Sequence, residues 1–399
     1  MQKPTLELDV LIFGGGAAGL WLLDELHRRS FRPMLIENRA LGAGQTIASQ
    51  GIIHGGLKYA LGGLLSGSAK AVGDMTDHWR ECLEGLGQPD LRRVRVLSPC
   101  CYLWRTEALA SMVGLAAARF GLKTPVAKVA AADRPPALAG CPGEVLRVDE
   151  PVIDVVSLLK EFADRHSERI LKVGDSSNAN FTVPKPGHVE TVELRRAGAT
   201  QAISLKPRVV IFTAGEGNAD LRRRVGLTQE ALQLRPLHMV MIRGFLPPLF
   251  GHCIDGNKTR VTITTAVDTE GRTVWHAGGE IAEKGVNMSA PELIRFAHRE
   301  LPSLLPAVDF TNTQWAAYRI NRAEGLDPRG ARPEGPVWRC EGSTITAWPT
   351  KLVLAPRLAK LITDSLDGPI SSPSQGEDWG TGPIEIAKPP WEAIDEWHS

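Results

Sequence analysis

Residues 9–56 read DVLIFGGGAAGLWLLDELHRRSFRPMLIENRALGAGQTIASQGIIHGG. Four apolar residues in a row, Val10 to Phe13, suit a strand buried on both faces. Gly14, Gly16 and Gly19 then spell G-x-G-x-x-G, and an apolar run over 17–26 predicts a helix. A second apolar run, 33–36, ends in Glu37. This is a strand–helix–strand unit with an acid about 20 positions beyond the glycines, the pattern of a dinucleotide site.

Each part has a physical task. Gly14 permits the tight turn out of the strand. Gly16, lacking Cβ, lets a pyrophosphate approach the backbone, and Gly19 lets the helix pack closely on the sheet. The helix N-terminus offers free N–H groups and its positive end to the phosphates. Glu37 suits a ribose diol and its charge would repel a 2′-phosphate. A purely structural glycine turn is the competing reading of the motif alone. The second strand and the acid weigh against it.

Working outward, the chain of 399 residues is long enough for two lobes. It is 43% hydrophobic and 23% charged, as in ordinary globular proteins. Lys+Arg 46 against Asp+Glu 45 leaves no basic field for nucleic acid. Six cysteines with no C-x-x-C spacing argue against a metal cluster or redox dithiol and for a reducing compartment. The N-terminus lacks the basic region of a signal peptide. No run of 18 apolar residues exists, so no spanning helix is expected. The expected location is cytoplasmic, with peripheral membrane contact left open.

Helical spacing of apolar residues predicts helices over 66–86, 107–121 and 291–301. Asp154 is placed to cap a helix starting at Val155. A strand is expected over 94–103, sheet over 170–205 with a turn at 184–187, and a buried strand over 209–212. Residues 232–282 alternate as an antiparallel sheet. Residues 340–366 read as strand, small-residue turn and helix, and a Pro/Gly/Ser-rich tail follows. The expected fold class is α/β with an α+β second lobe: a Rossmann-like nucleotide-binding domain carrying an inserted antiparallel substrate domain. The nucleotide-binding parts are expected at 1–85, 146–228 and 319–368. The substrate parts are expected at 86–145 and 229–318, and an extended tail at 369–399.

GGGAAG (14–19), Glu37, SQGIIHGGLKYAL (49–61), VVIFTAGEGNA (209–219) and TAWPTKLVLAPRLAKLI (346–362) together resemble the FAD-dependent oxidoreductases of the D-amino-acid oxidase superfamily. The 49–61 loop is most similar to the glycerol-3-phosphate dehydrogenase and L-2-hydroxyglutarate dehydrogenase branch. The resemblance implies bound FAD. Gly14, Gly16 and Gly19, with Ala17 and Ala18, would hold its pyrophosphate, and Glu37 and Asn38 the adenosine ribose. Gln45, Thr46, Ala48, Ser49, Gln50 and Gly51 would line the path to the flavin ring. Ala214 and Gly215 would lie near the adenine half, and Lys351 and Leu352 against the pyrimidine edge. His54 corresponds to a histidine close to the flavin, covalently attached in some of the wider superfamily.

Such a site oxidises a C–H bond beside a hydroxyl or amine, sending hydride to flavin N5. Lys351 and the helix after it would stabilise the negative charge that results. A hydroxyl substrate also needs a base, for which histidine is suited. His54 and His238 are the candidates for it, with His238 preferred as base and His54 as the flavin-contacting histidine. Lys58, Arg319 and Arg322 are the expected anion-binding residues, with the Arg332-Pro333 pair as another reading. The expected reaction is oxidation of a small anionic hydroxy acid or polyol phosphate. Electrons would pass to oxygen, a quinone or a carrier protein, because no second dinucleotide motif is present. An amine or amino-acid oxidase on the same fold is the first rival. A non-catalytic flavoprotein subunit is the second.

Overall fold

The computed structural model describes residues 5–55, 72–106, 126–174, 179–195, 202–255, 258–327, 329–369 and 384–399. Lys58, the remainder of the 56–61 loop, the start of the 66–86 helix and the helix over 107–121 lie outside them. The expected strand–helix–strand unit is β1 (Thr5–Phe13), α1 (Ala17–Arg28) and β2 (Pro33–Glu37). Then come α2 (Met75–Glu84), β3 (Val96–Ser98), β4 (Cys101–Trp104), β5 (Val126–Lys128), β6 (Val145–Val148), β7 (Val152–Ile153) and α3 (Val155–Arg165). Next are β8 (Ile170–Lys172), β9 (Ala179–Thr182), β10 (Thr191–Arg195), β11 (Ala202–Phe212), α4 (Asn218–Arg224) and β12 (Leu232–Gly244). β13 (Gly251–Asp255), β14 (Lys258–Val267), β15 (Thr273–Gly278), α5 (Glu280–Lys284) and α6 (Ala290–Leu304) follow. The chain closes with β16 (Gln314–Gly325), β17 (Val337–Glu341), β18 (Thr344–Trp348), α7 (Ala355–Asp364) and α8 (Pro390–Ala393).

The first sheet runs β17-β18-β11-β1-β2-β8, with β10 and β9 attached to β11. The pairs β18–β11, β11–β1, β1–β2 and β2–β8 are parallel. Parallel strands need cover on both faces, which is why β1 is wholly apolar over residues 10–13. Alternate residues of β1 enter different cores. Val10 and Ile12 pack with α1, α3 and α7, and Leu11 and Phe13 with β9, β10 and α4. Trp21 of α1 anchors the helical layer, its ring 4.6 Å from Trp79 and 5.5 Å from Phe162. Each such pair adds about 0.5–1.5 kcal/mol beyond the burial itself.

Asp154 caps α3 as expected, its side chain accepting from the Val156 N–H. Asp154→Ala should therefore lower holoprotein stability by about 1 kcal/mol in urea denaturation. An unchanged midpoint would show that the cap contributes nothing.

The second sheet runs β16-β12-β15-β14-β13-β4-β6-β5 and is antiparallel except at β13–β4. Val240, Ile242, Val261, Ile263 and Ala277 pack against α6 on one face. Met241, Val274 and Ala316 on the other face meet Trp391, Ile394 and Trp397 of the tail. The tail also touches the first lobe. Leu41 N donates to Glu385 O at 2.8 Å, and Ala387 N donates to Leu41 O at 3.0 Å. At its far end, Trp315 and His398 exchange backbone bonds of 2.7 and 2.8 Å.

Several expected boundaries move. The 94–103 strand is two strands, β3 and β4, in different sheets, broken at Pro99. The boundary at 145/146 cuts β6, and that at 318/319 cuts β16. Polar Arg319, Asn321 and Arg322 hid the continuity of β16. The helix expected over 353–366 is a single 3₁₀ turn, Leu352–Leu354, followed by α7. Among the described residues, no helix is long and apolar enough to cross a membrane.

Candidate functional site

A cavity of about 890 Å³ runs from the glycine turn after β1 to the inner face of the second sheet. It is large enough for a cofactor-sized ligand. The three motif glycines do different things. Gly14 has φ +109°, and a Cβ there would lie 2.6 Å from Ala214 Cα. A Cβ on Gly19 would lie 2.0 Å from Gly14 O. Both are required by the fold, and Gly19 lies off the cavity wall. Gly16 lines the cavity at the N-cap of α1, where the nearest atom to a Cβ would be Thr46 Oγ1 at 3.0 Å. Its missing side chain keeps space in the cavity rather than space between elements.

Glu37, buried, fixes this turn. Its Oε2 accepts from Gly15 N at 2.7 Å. Its Oε1 accepts from Asn38 N at 3.0 Å and Arg39 N at 2.8 Å. Two carboxylate oxygens offer about four acceptor positions, so these bonds leave room for a ribose hydroxyl. Ala17, Ala18, Asn38, Ala214 and Gly215 also line the cavity. Ser49 does too, and its buried Oγ has no hydrogen-bond partner among the described residues. A buried hydroxyl without a partner is costly, and a polar ligand at this wall would relieve it. The open floor at Gly16, the N-terminus of α1 and this hydroxyl fit an extended phosphate-bearing nucleotide.

The loop after β2 is tied across to the second sheet. Gln45 Oε1 accepts from Ala323 N at 2.8 Å. Gln50 Nε2 donates to Thr262 O at 3.0 Å and His276 O at 2.7 Å. Thr46 Oγ1 accepts from Ala17 N at 3.1 Å. Gln45, Thr46, Ala48 and Gln50 all line the cavity. Gly51 does not. Its φ is +68°, and a Cβ would lie 2.2 Å from Ile153 O, so it serves backbone packing against β7.

His54 lines the cavity. Behind it stands Glu150, with Oε2 3.3 Å from His54 Nδ1 and Oε1 accepting from Gly55 N at 2.6 Å. His252 lies beside the ring, centroids 5.4 Å apart, and its Nδ1 is 2.8 Å from Thr262 Oγ1. His238 is elsewhere. Strand side chains alternate, so Leu237 and Met239 face the cavity while His238 shares the α6 side with Val240. Its Nδ1 lies 3.0 Å from Gly285 O, and burial pushes its pKa below the usual histidine value. Arg319, paired opposite His238, donates to Val286 O and Met288 O at 2.6 Å each. Neither reaches the cavity, which overturns the expectation of His238 as base and Arg319 as anion ligand.

Arg322 does reach it, together with Arg332. Both belong to a crowded group with Arg235, the residue opposite Arg322 on β12. Buried Glu324 lies 3.6 Å from Arg235 Nη1 and 3.7 Å from Arg332 Nε. Glu283 lies 3.6 Å from Arg322 Nη2. Burial, then the Arg332 and Arg235 charges, push Arg322 below its ordinary pKa. Of this group, Arg322, Arg332 and Glu283 line the cavity. Lys351 and Leu352 also line the cavity, and the buried Lys351 Nζ lies 3.4 Å from Glu334 O. Thr350 before them has φ +66°, an uncommon conformation for a β-branched residue.

Three contributors were not anticipated from the sequence. Glu150 and His252 are brought to His54 only by tertiary structure. Asn218, fully buried, accepts from Ala214 N at 2.7 Å and donates to Ala347 O at 3.2 Å, joining the ends of β11 and β18 under the cavity. Its place in the GEGNA run was a weak signal for it.

A model of the family described as FAD dependent oxidoreductase matches residues 9–363. The chain is 39% identical to a probable FAD-dependent oxidoreductase of Pseudomonas aeruginosa, over 98% of this chain and 99% of that one. The crystal structure of an FAD-dependent oxidoreductase from Pseudomonas aeruginosa superposes with a TM-score of 0.80 at 34% identity, covering 98% of this chain and 99% of that chain. A partial likeness joins the chain to glycerol-3-phosphate dehydrogenase 1 of Mycobacterium bovis, 26% identical over 57% of this chain and 44% of that protein. The fold is shared with glycine oxidase from Geobacillus kaustophilus, TM-score 0.63 at 17% identity over 90% and 94% of the two chains.

Proposed function

The chain belongs to the FAD-dependent oxidoreductases, and we propose that it oxidises the hydroxyl-bearing carbon of a small anionic substrate, a hydroxy acid or a polyol phosphate. The observation that carries this reading is one cavity holding both a histidine backed by a carboxylate and two neighbouring guanidiniums, Arg322 and Arg332. An alcohol must lose its O–H proton as its C–H hydride leaves, whereas a neutral amine needs no such base. His54, which lines the cavity, would take that proton. Arg322 and Arg332 would hold the substrate anion, since planar guanidinium pairs match carboxylate and phosphate oxygens. FAD, when bound, supplies the two-electron acceptor. Gly16, the first turn of α1 and Glu37 would hold its nucleotide end, and Lys351 would face its ring. The partial likeness to a glycerol-3-phosphate dehydrogenase favours the hydroxyl reading over the amine one.

The test is anaerobic bleaching of the bound flavin by panels of 2-hydroxy acids, polyol phosphates and amino acids. Bleaching within the first two panels is expected. Bleaching by amino acids alone would overturn the proposal. With the reducing compound in hand, Arg322→Ala should raise its KM about 10- to 100-fold, the loss of one charge-assisted pair. Restoration of KM by an added guanidinium ion would support a direct anion contact. An unchanged KM would remove Arg322 from the site.

A further inference from the structure

We propose that Glu150 is the positioning residue for His54, holding its ring in the tautomer that accepts a proton from the cavity, and that His252 is the second wall of this mount. The inference rests on the role just given to His54. Glu150 sits 96 positions away in sequence and is almost wholly buried. It does not line the cavity, so it reaches the chemistry only through its neighbours. One oxygen is held by the Gly55 N–H at 2.6 Å, which fixes the carboxylate. The other lies 3.3 Å from His54 Nδ1. A carboxylate only accepts, so Nδ1 carries the hydrogen and Nε2 carries the lone pair. The ring can then take a proton at Nε2, and the imidazolium formed is stabilised by the charge behind it.

His252 restricts the ring from the side. The two rings lie 5.4 Å apart at 30°. His252 is itself anchored through Thr262 Oγ1 at 2.8 Å. The carbonyl of Thr262 accepts from Gln50 of the cavity wall, so loop and mount are one connected structure. Among the described residues, Glu150 and His252 are titratable groups against the ring. Lys258, Glu280 and Lys351 stand on other walls of the same cavity.

The discriminating variant is Glu150→Gln. The amide oxygen can still accept from Gly55 N–H, so the backbone is kept. The amide nitrogen must then donate to His54 Nδ1, which moves the ring hydrogen to Nε2 and removes the acceptor. In holoenzyme labelled with ¹⁵N-histidine, with His54→Gln used for assignment, wild type should show Nδ1–H and Glu150→Gln should show Nε2–H. The protonation midpoint of His54 should fall by about one pH unit on loss of the charge. FAD content should stay the same. Flavin reduction by the compound found in the screen should fall about 10²- to 10⁴-fold, the range of general base catalysis. Glu150→Asp should recover part of it. An unchanged tautomer in Glu150→Gln, or an altered tautomer with undiminished flavin reduction, would overturn the proposal. So would one equivalent of tightly held zinc in the wild-type holoenzyme, lost in Glu150→Gln, since His54, Glu150 and His252 have ligand atoms within 4.8 Å of one another and would then be a metal site. The tautomer is read without any substrate. A failed substrate screen therefore counts against the proposed reaction and leaves the mount to be judged separately.

Discussion

Gly16→Val is expected to give a folded, colourless protein. The substitution places a branched side chain where the cavity floor meets the first turn of α1. Only Thr46 Oγ1 lies near a Cβ there, at 3.0 Å, and turning it aside gives up at most its bond from Ala17 N, so the apoprotein should keep its structure. The cofactor has no such freedom. A pyrophosphate pushed off the helix N-terminus gives up its N–H bonds along with the contact. Overpacking by itself costs about 1–3 kcal/mol, and with the lost bonds the affinity for FAD should fall at least about a hundredfold. Flavin absorbance of the purified protein measures the loss, and far-ultraviolet circular dichroism measures the fold. Gly19→Val is the contrast: its Cβ would sit 2.0 Å from Gly14 O, so it should fail to fold rather than fail to bind. A yellow Gly16→Val protein would show that the pyrophosphate does not cross this floor.

The second large effect is expected at His54. His54→Gln should retain FAD and the fold, yet slow flavin reduction by the proposed hydroxyl substrate about 10²- to 10⁴-fold. The pH dependence supplies the sign. A general base works in its neutral form, so the wild-type rate should rise with pH as His54 loses its proton and then level. In His54→Gln that rise should vanish. His238→Gln, by contrast, should leave the rate–pH curve in place, because His238 lies on the far side of β12 against Gly285 O. If the curve followed His238, the assignment would be reversed.

Much of this site was legible in the sequence, for reasons that separate it from what was not. G-x-G-x-x-G followed by Glu37 encodes local geometry: turn, helix start and acid are all within one supersecondary unit, and the structure ties Glu37 straight back to Gly15. The misreading of His238 has a definite cause. The run HMVMI is apolar on both faces, because one face packs on α6 and the other lines the cavity or meets the tail. Without a polar face the alternation fixes that neighbours diverge, but not which of them turns inward. Arg319 fell with His238 because the two are paired across strands. Glu150 was invisible for another reason. An acid in a loop, read alone, is a solvated acid. Only the packing of 149–151 against the His54 loop, seen in Ile53 N donating to Pro151 O at 2.9 Å, makes it part of the site.

The tail bears on how this protein is held together. Both sheets and α7 are complete by residue 364, so the residues that line the cavity all precede the 384–399 segment in the chain. Residues 384–399 then reach from Leu41, whose side chain lies against Gly15, to Trp315 on the opposite sheet. The 384–399 segment thus acts as a latch drawn across the two halves. A chain cut after residue 369 would keep every described strand of both sheets and lose this fastening.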